Sequence, residues 1–236
     1  LLSRSSFIEL STSYDVDNSI KLERDNSERL KRTVSSTGDR QKGTISVWVK
    51  RVHLTDTQYV WESATSDSLS GRIFLRFQSD DTLRLATGTI TLLNTNRKFR
   101  DPSAWYHIVI AIDTTQSTAG NRFRMYINGV EETSFSTDDG GNQNEQTGLN
   151  VGELAIGQSH IDNTGYLSAL LCEFVNIDGS QLDADSFGEF DSDSNIWKPK
   201  DVSSLTFGTN GAYLTFETSG VLGDDKSGNG NDFALT

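Results

Sequence analysis

Trp105-Tyr-His-Ile-Val-Ile-Ala-Ile-Asp113, followed shortly by Arg122-Phe-Arg-Met-Tyr-Ile-Asn-Gly-Val130, decides the fold class. In the first run Tyr106, Ile108, Ile110 and Ile112 fall on one face of an extended chain. Val109 and Ala111 make the other face apolar as well, which predicts a strand covered on both sides near the middle of a sheet. The second run places Phe123, Met125 and Ile127 inward, and Asn128-Gly129 then reverses the chain. A type I′ hairpin needs positive φ at both central residues, which Asn-Gly supplies at low cost.

The same period of two extends outward from this pair. Thr44-Ile-Ser-Val-Trp-Val-Lys50 alternates Ile45, Val47 and Val49 against Ser46, Trp48 and Lys50, and Arg72-Ile-Phe-Leu-Arg-Phe-Gln78 behaves likewise. About a dozen short strands separated by Gly, Asn, Asp and Ser predict an all-β fold, a two-sheet antiparallel sandwich or a barrel. Only Asp183 to Phe190 reads as a short helix, and Ser136 to Asn150 reads as a long polar loop. Residues 1–17 are taken as a lead-in strand or extension, and 18–236 as one domain. A start at Leu1 suggests a fragment or a processed product.

Composition narrows the partners. The 236 residues carry 21 Lys and Arg against 33 Asp and Glu, a formal charge of −12. Nucleic acid and anionic membrane surfaces are polyanions, so this balance disfavours both. Lys21, Arg24, Arg29, Lys31 and Arg32 form the one basic cluster and read as a solvated strand face. No apolar run approaches the roughly 18 residues of a membrane span. A single cysteine, Cys172 in LLCEFVNI, excludes an internal disulfide and reads as a buried, inert thiol.

Several motifs, taken in order, carry a resemblance. They are WVKR (Trp48 to Arg51), FRDPSAWYHIV (Phe99 to Val109), NRFRMYINGV (Asn121 to Val130), IDGSQL (Ile177 to Leu182), SFGE (Ser186 to Glu189), WKPK (Trp197 to Lys200), GTNGAYLTF (Gly208 to Phe216) and SGNGND (Ser227 to Asp232). Over about residues 18 to 236 the chain resembles the concanavalin A-like, laminin G-like superfamily, in the version found in bacteriophage virion proteins. The resemblance implies a jelly roll of two antiparallel sheets forming one module of a tail fibre or head-surface protein. Such modules bind host-surface glycans, while other members are structural or bind proteins, including further copies of themselves. It therefore implies a virion location, attachment to a glycan or assembly with virion proteins, and a homo-oligomer or larger assembly. Fold alone does not choose among these.

Glu189-Phe-Asp-Ser-Asp-Ser-Asn195 offers the most chemical-looking spacing. Retaining glycosidases need two carboxylates about 5 to 5.5 Å apart, and Glu189 and Asp193 have strand spacing. The second acid is Asp rather than Glu, however, and the flanks do not look strand-like. A calcium loop would need Gly at position six and Glu at position twelve, where Ile196 and Val202 stand. The heptad is expected to be a helix end running into a solvated turn. The histidines, His53, His107 and His160, show no metal-protease spacing, so no enzyme activity is expected.

Two further candidate sites remain. Asp224-Asp-Lys-Ser-Gly-Asn-Gly-Asn-Asp232 could hold calcium through Asp224, Asp225, Asn229 and Asp232, or could be a self-bonded turn. A glycan site needs aromatic rings for sugar faces and planar polar groups for hydroxyls. Trp61, Arg76, Arg124 and Tyr126 from outward strand faces, with Asp139, Asn142 and Asn144 from the long loop, are the expected set. Trp61 is placed at a rim beside the polar ESATSDSLSG; Trp48 and Trp105 are expected between the sheets or under loops.

Overall fold

Alternating sequence becomes paired strand throughout the computed structural model, which describes residues 14–65 and 71–236. Residues 1–13 of the lead-in segment, and residues 66–70 of the polar stretch after Trp61, lie outside the described residues. Strands are numbered in chain order. One sheet runs β1 (Ile20–Leu22), β13 (Ala169–Asp178), β3 (Lys42–Arg51), β8 (Tyr106–Asp113), β9 (Phe123–Ile127), β10 (Val130–Glu131), with β16 (Ala212–Leu214) also on β13. The other runs β11 (Phe135–Asp138), β7 (Ile90–Lys98), β6 (Thr82–Thr87), β5 (Arg72–Phe77), β4 (Gln58–Ala64), β12 (Glu153–Ile156), β2 (Leu30–Thr33), β17 (Ala234–Leu235). A separate hairpin pairs β14 (Gly188–Phe190) with β15 (Trp197–Pro199). Every pairing is antiparallel, and no described helix is long and apolar enough to cross a membrane.

The main core lies between the two large sheets. Ile45, Val47 and Val49 of β3, Ile108, Ile110 and Ile112 of β8, and Phe123, Met125 and Ile127 of β9 meet Ile73, Leu75 and Phe77 of β5. These are the faces that the alternation assigns. Asn128 and Gly129 take φ of 50° and 79°, as a type I′ turn requires.

A second apolar layer covers the outer face of the seven-stranded sheet. Val109 and Ala111 of β8 join Trp48, Tyr126, Cys172 and Val175, roofed by Ala184, Phe187, Trp197, Val202 and Phe207. β8 is thus covered on both faces, and the roof is what shapes the site described below.

One expectation is narrowed and two are corrected. The short helix within Asp183 to Phe190 is a single 3₁₀ turn at Ala184–Ser186, which gives way to β14 because Gly188 lets β15 close over it and Trp197 seat against its backbone. Trp61 is fully buried in the main core rather than at a rim. A register shift between Tyr59 and Trp61, where β4 pairs with β5, turns Val60 and Trp61 both inward, which simple alternation cannot anticipate. The polar run from Ser136 begins as strand β11 on β7 and ends buried at residues 147–150, so only its centre is loop.

Candidate functional site: an aromatic cleft

The inward placement of Val47 and Val49 forces Trp48 outward, and the same parity in β8 sends His107 out beside it, since Trp48 and His107 are directly paired. Their rings stack with centroids 4.7 Å apart. Trp197 of β15 stacks on the other side of His107 at 5.9 Å and donates its indole Nε1–H to His107 Nδ1 at 2.9 Å. With Nδ1 accepting, the imidazole proton sits on Nε2, which donates to Ser46 Oγ at 2.8 Å. Burial drives the His107 pKa down to about 3, so the ring is a neutral spacer between two tryptophans.

The hairpin is held on by close approach. A Cβ on Gly129 would stand 2.3 Å from the Trp197 ring, and one on Gly188 would stand 2.5 Å from it. The glycine of the Asn-Gly turn therefore serves both the turn and the seat of Trp197. Asn128 closes the corner, accepting the His107 backbone N–H on its side-chain oxygen at 2.7 Å.

Between this hairpin and the chain leading into β1 lies a cleft of about 610 Å³. Trp48, Trp105, Trp197 and Phe190 line it with Cys172, Ile196 and Val16, and Asp17, Asn18, Ser19, Asn128 and Lys198 supply its polar groups. That volume suits a small ligand or a few sugar rings. Trp48 and Trp197 are nearly covered and form its floor. At its edge Phe190 is 45% exposed and Ile196 65% exposed, large apolar groups left in water. Trp48 and Trp105 therefore line a cleft outside the inter-sheet core. Cys172 on the same wall is buried, its thiol pushed up to about 12 by burial and then by Glu173.

The residues expected to bind ligand do not converge. Arg124 holds Glu131 through two hydrogen bonds, Nε to Oε1 at 2.8 Å and Nη2 to Oε2 at 2.5 Å. Tyr126 beneath it is buried in the second apolar layer, its phenol pushed up to about 12 by burial. Asp139, Asn142 and Asn144 are exposed, but their loop stands apart from the cleft lining and closes on itself, as when Asp139 Oδ1 accepts the Gly141 N–H at 3.2 Å. Arg76 lies on the opposite sheet. The cleft residues missed by sequence reasoning are Trp105, Phe190, Ile196 and Trp197; the one available signal was Phe190 inside EFDSDSN with Trp197 two residues beyond it.

That heptad is a hairpin turn whose flanks are strands, contrary to expectation. Asp191 Oδ1 accepts from the N–H groups of Asp193 and Ser194 at 3.1 and 2.9 Å, and Oδ2 from Lys198 Nζ at 3.2 Å. The Ser194 N–H above all holds that carboxyl far below the usual range. Glu189 and Asp193 are exposed, and neither lines the cleft.

The segment from Asp224 to Asp232 is a turn bonded largely within itself and to β16. Asp225 Oδ1 accepts the N–H groups of Tyr213 and Ser227 at 2.8 and 2.9 Å, and Oδ2 accepts the Ser227 hydroxyl and the Asn231 N–H, both at 2.8 Å. Asp224 pairs with Lys226, Asp232 Oδ1 accepts the Asp225 N–H, and Asn229 Nδ2 donates to the Gly208 carbonyl. Both Asp225 oxygens, Asp224 Oδ2 and Asp232 Oδ1 thus face donors already. Among the described residues no three His, Cys, Asp or Glu side chains converge as a metal site.

Two stacked antiparallel sheets of seven and eight strands, with short crossovers and a roofed outer face, define a lectin-like jelly-roll sandwich. A laminin G-type family model, described as concanavalin A-like lectin/glucanases superfamily, matches residues 22–181, and the chain belongs to that family. Among solved structures it is similar to a heptameric SAP-like pentraxin from Limulus polyphemus at 18% identity and TM-score 0.51, covering 72% of this chain and 80% of the pentraxin. It is also similar to domains LG4-5 of mouse laminin α1 at 13% identity and TM-score 0.49, covering 84% of this chain and 47% of that one. At these identities the likeness concerns the fold. No curated protein matches the chain.

Proposed function

We propose that this chain is a non-enzymatic glycan-binding module and that the aromatic cleft takes the sugar. The observation carrying this reading is an open space of about 610 Å³ walled by Trp48, Trp105, Trp197 and Phe190, with Asn18, Asp17, Asn128 and Lys198 beside them. The C–H face of a sugar ring lies well against an indole, and planar polar groups at the rim select the hydroxyl pattern. Membership of a superfamily that includes lectins supports the same reading. The ordered motifs extend it: the module would stand on a phage particle, among other virion proteins or copies of itself, and attach the particle to a host-surface glycan. The absence of catalysis is part of the proposal, supported by the exposed placement of Glu189 and Asp193, neither of which lines the cleft.

A glycan array followed by calorimetry tests this. Trp105→Ala, at the partly buried wall, is expected to weaken the sugar about tenfold; because Trp105 packs on the second apolar layer it should also lower the unfolding midpoint, so binding is measured well below that midpoint. Blank arrays together with unaltered host-cell binding would overturn the reading, and reducing sugar released from a β-glucan would overturn its non-enzymatic part. Exposed Phe190 and Ile196 favour one second reading, in which the cleft docks another virion protein. In that case a map of the intact particle would show the β14–β15 hairpin buried against a neighbour.

A further inference from the structure

On the other side of the sandwich, Arg76 of β5 and Arg84 of β6 are directly paired across the outer face of the eight-stranded sheet. Like charges in that relation repel. A chain with 33 acidic residues against 21 basic ones has carboxylates to spare, and Arg72, Arg97, Arg100 and Arg124 each hold one. Arg76 and Arg84 are instead fixed by neutral groups. Arg76 donates Nε to Gln78 Oε1 at 2.7 Å and Nη1 to the Tyr59 hydroxyl at 2.8 Å. Its guanidinium lies 5.3 and 5.2 Å from the Tyr59 and Phe74 ring centres. Arg84 donates Nη2 to Thr91 Oγ1, but its Nε is buried without an acceptor. Burial, and next the charge of Arg76, hold the Arg84 guanidinium below its ordinary pKa.

This arrangement costs stability as it stands: two facing cations are oriented but not neutralised, and a buried donor is unsatisfied. An oxyanion seated between the two guanidinia would relieve the first of these faults. A carboxylate or sulfate accepts forked hydrogen bonds from guanidinium with matched geometry, and the Arg76 guanidinium, set on the Tyr59 and Phe74 rings, and the Arg84 guanidinium, held by Thr91, are already ordered for it. We propose that Arg76 and Arg84 form a second ligand site, separate from the cleft, that takes the carboxylate or sulfate group of an acidic saccharide. Asn94, directly opposite Arg84 on β7, extends the row toward sugar hydroxyls.

Calorimetry on the whole chain, with oligogalacturonate, a sulfated oligosaccharide, a carboxyl-reduced neutral counterpart and inorganic sulfate as separate probes, tests the proposal. At least one acidic saccharide should bind, with affinity falling as sodium chloride is added, and the neutral counterpart should not bind at this site. Arg84→Gln and Arg76→Gln should each weaken the acidic saccharide about tenfold or more, while Trp105→Ala leaves it unchanged. Removing the repulsion should leave the Arg84→Gln unfolding midpoint equal to or above that of the parent, so lost binding cannot be mistaken for lost fold. Uronate binding alone identifies a carboxylate ligand, sulfated-sugar binding alone a sulfate ester, and binding of both the shared oxyanion chemistry; each supports the site. Binding of inorganic sulfate without either saccharide overturns it, as do acidic-saccharide affinities that neither arginine variant changes. Failure of the cleft reading would appear instead with neutral glycans and Trp105→Ala.

Discussion

His107 has both ring nitrogens engaged and two indoles against its faces, an environment that admits only the neutral form. An unfolded histidine titrates near 6.5, whereas His107 in the folded chain titrates at about 3. Between these values the unfolded chain takes up a proton that the folded chain refuses. The stability tied to His107 is therefore fully present above pH about 6.5 and is lost as pH falls toward 3, at up to about 1.4 kcal/mol per pH unit. Urea unfolding from pH 7 to pH 5 should show this residue removing about 2 kcal/mol. His107→Gln, weaker overall because it cannot fill the space between the tryptophans, should show a flatter profile over that range. Parallel profiles for parent and variant would contradict the assignment.

At the scale of elements, the β14–β15 hairpin makes a site of an otherwise covered sheet face, and its attachment can be tested at Gly129. Alanine there meets the Trp197 ring and must hold a φ of 79°. The left-handed backbone alone costs about 1 to 2 kcal/mol, and displacement of Trp197 adds to it. Gly129→Ala is expected to lower stability by about 2 kcal/mol or more and to abolish cleft binding. Retained sugar affinity in a folded Gly129→Ala chain would mean that the hairpin is not part of the site. The strands that form the sandwich were legible because β3, β8 and β9 alternate without interruption and the Asn-Gly turn has one favoured geometry. Trp61 was misplaced because a bulge breaks the parity of β4, which depends on the pairing partner rather than on local sequence. β14 and β15 are three residues each, too short to show any period. The cleft draws on residues 16–19, Trp48, Trp105, Asn128, Cys172, Phe190 and 196–199, segments that only the folded chain brings together. Arg76 was legible as an outward strand residue; its pairing with Arg84 was not, because register across β5 and β6 fixes it.

Across the whole molecule, the two sheets are joined by more than apolar contact. Arg51, at the end of β3 in one sheet, and Asp81, in the turn before β6 in the other, are both fully buried and pair at 3.1 Å. Arg51 also donates to the Phe99 carbonyl at 2.7 Å and lies 4.2 Å from the Phe77 ring centre, while Asp81 accepts the Thr55 N–H at 2.7 Å. Burial alone would raise the Asp81 carboxyl; the Thr55 N–H, Arg100 and Arg51 together hold it below its ordinary value. A buried pair of this kind need not outperform an apolar pair, but removing one partner leaves an uncompensated charge in the interior. Asp81→Ala is therefore expected to cost about 3 to 5 kcal/mol. Arg100→Ala, which removes a 56% exposed partner of the same carboxylate, should cost under about 1 kcal/mol. Since Arg51 and Asp81 tie one sheet to the other, the Asp81→Ala loss should appear as a lower midpoint of a single urea transition monitored by both tryptophan fluorescence and circular dichroism. Separate transitions by the two probes, or a loss no larger than that of Arg100→Ala, would show that apolar packing alone joins the sheets.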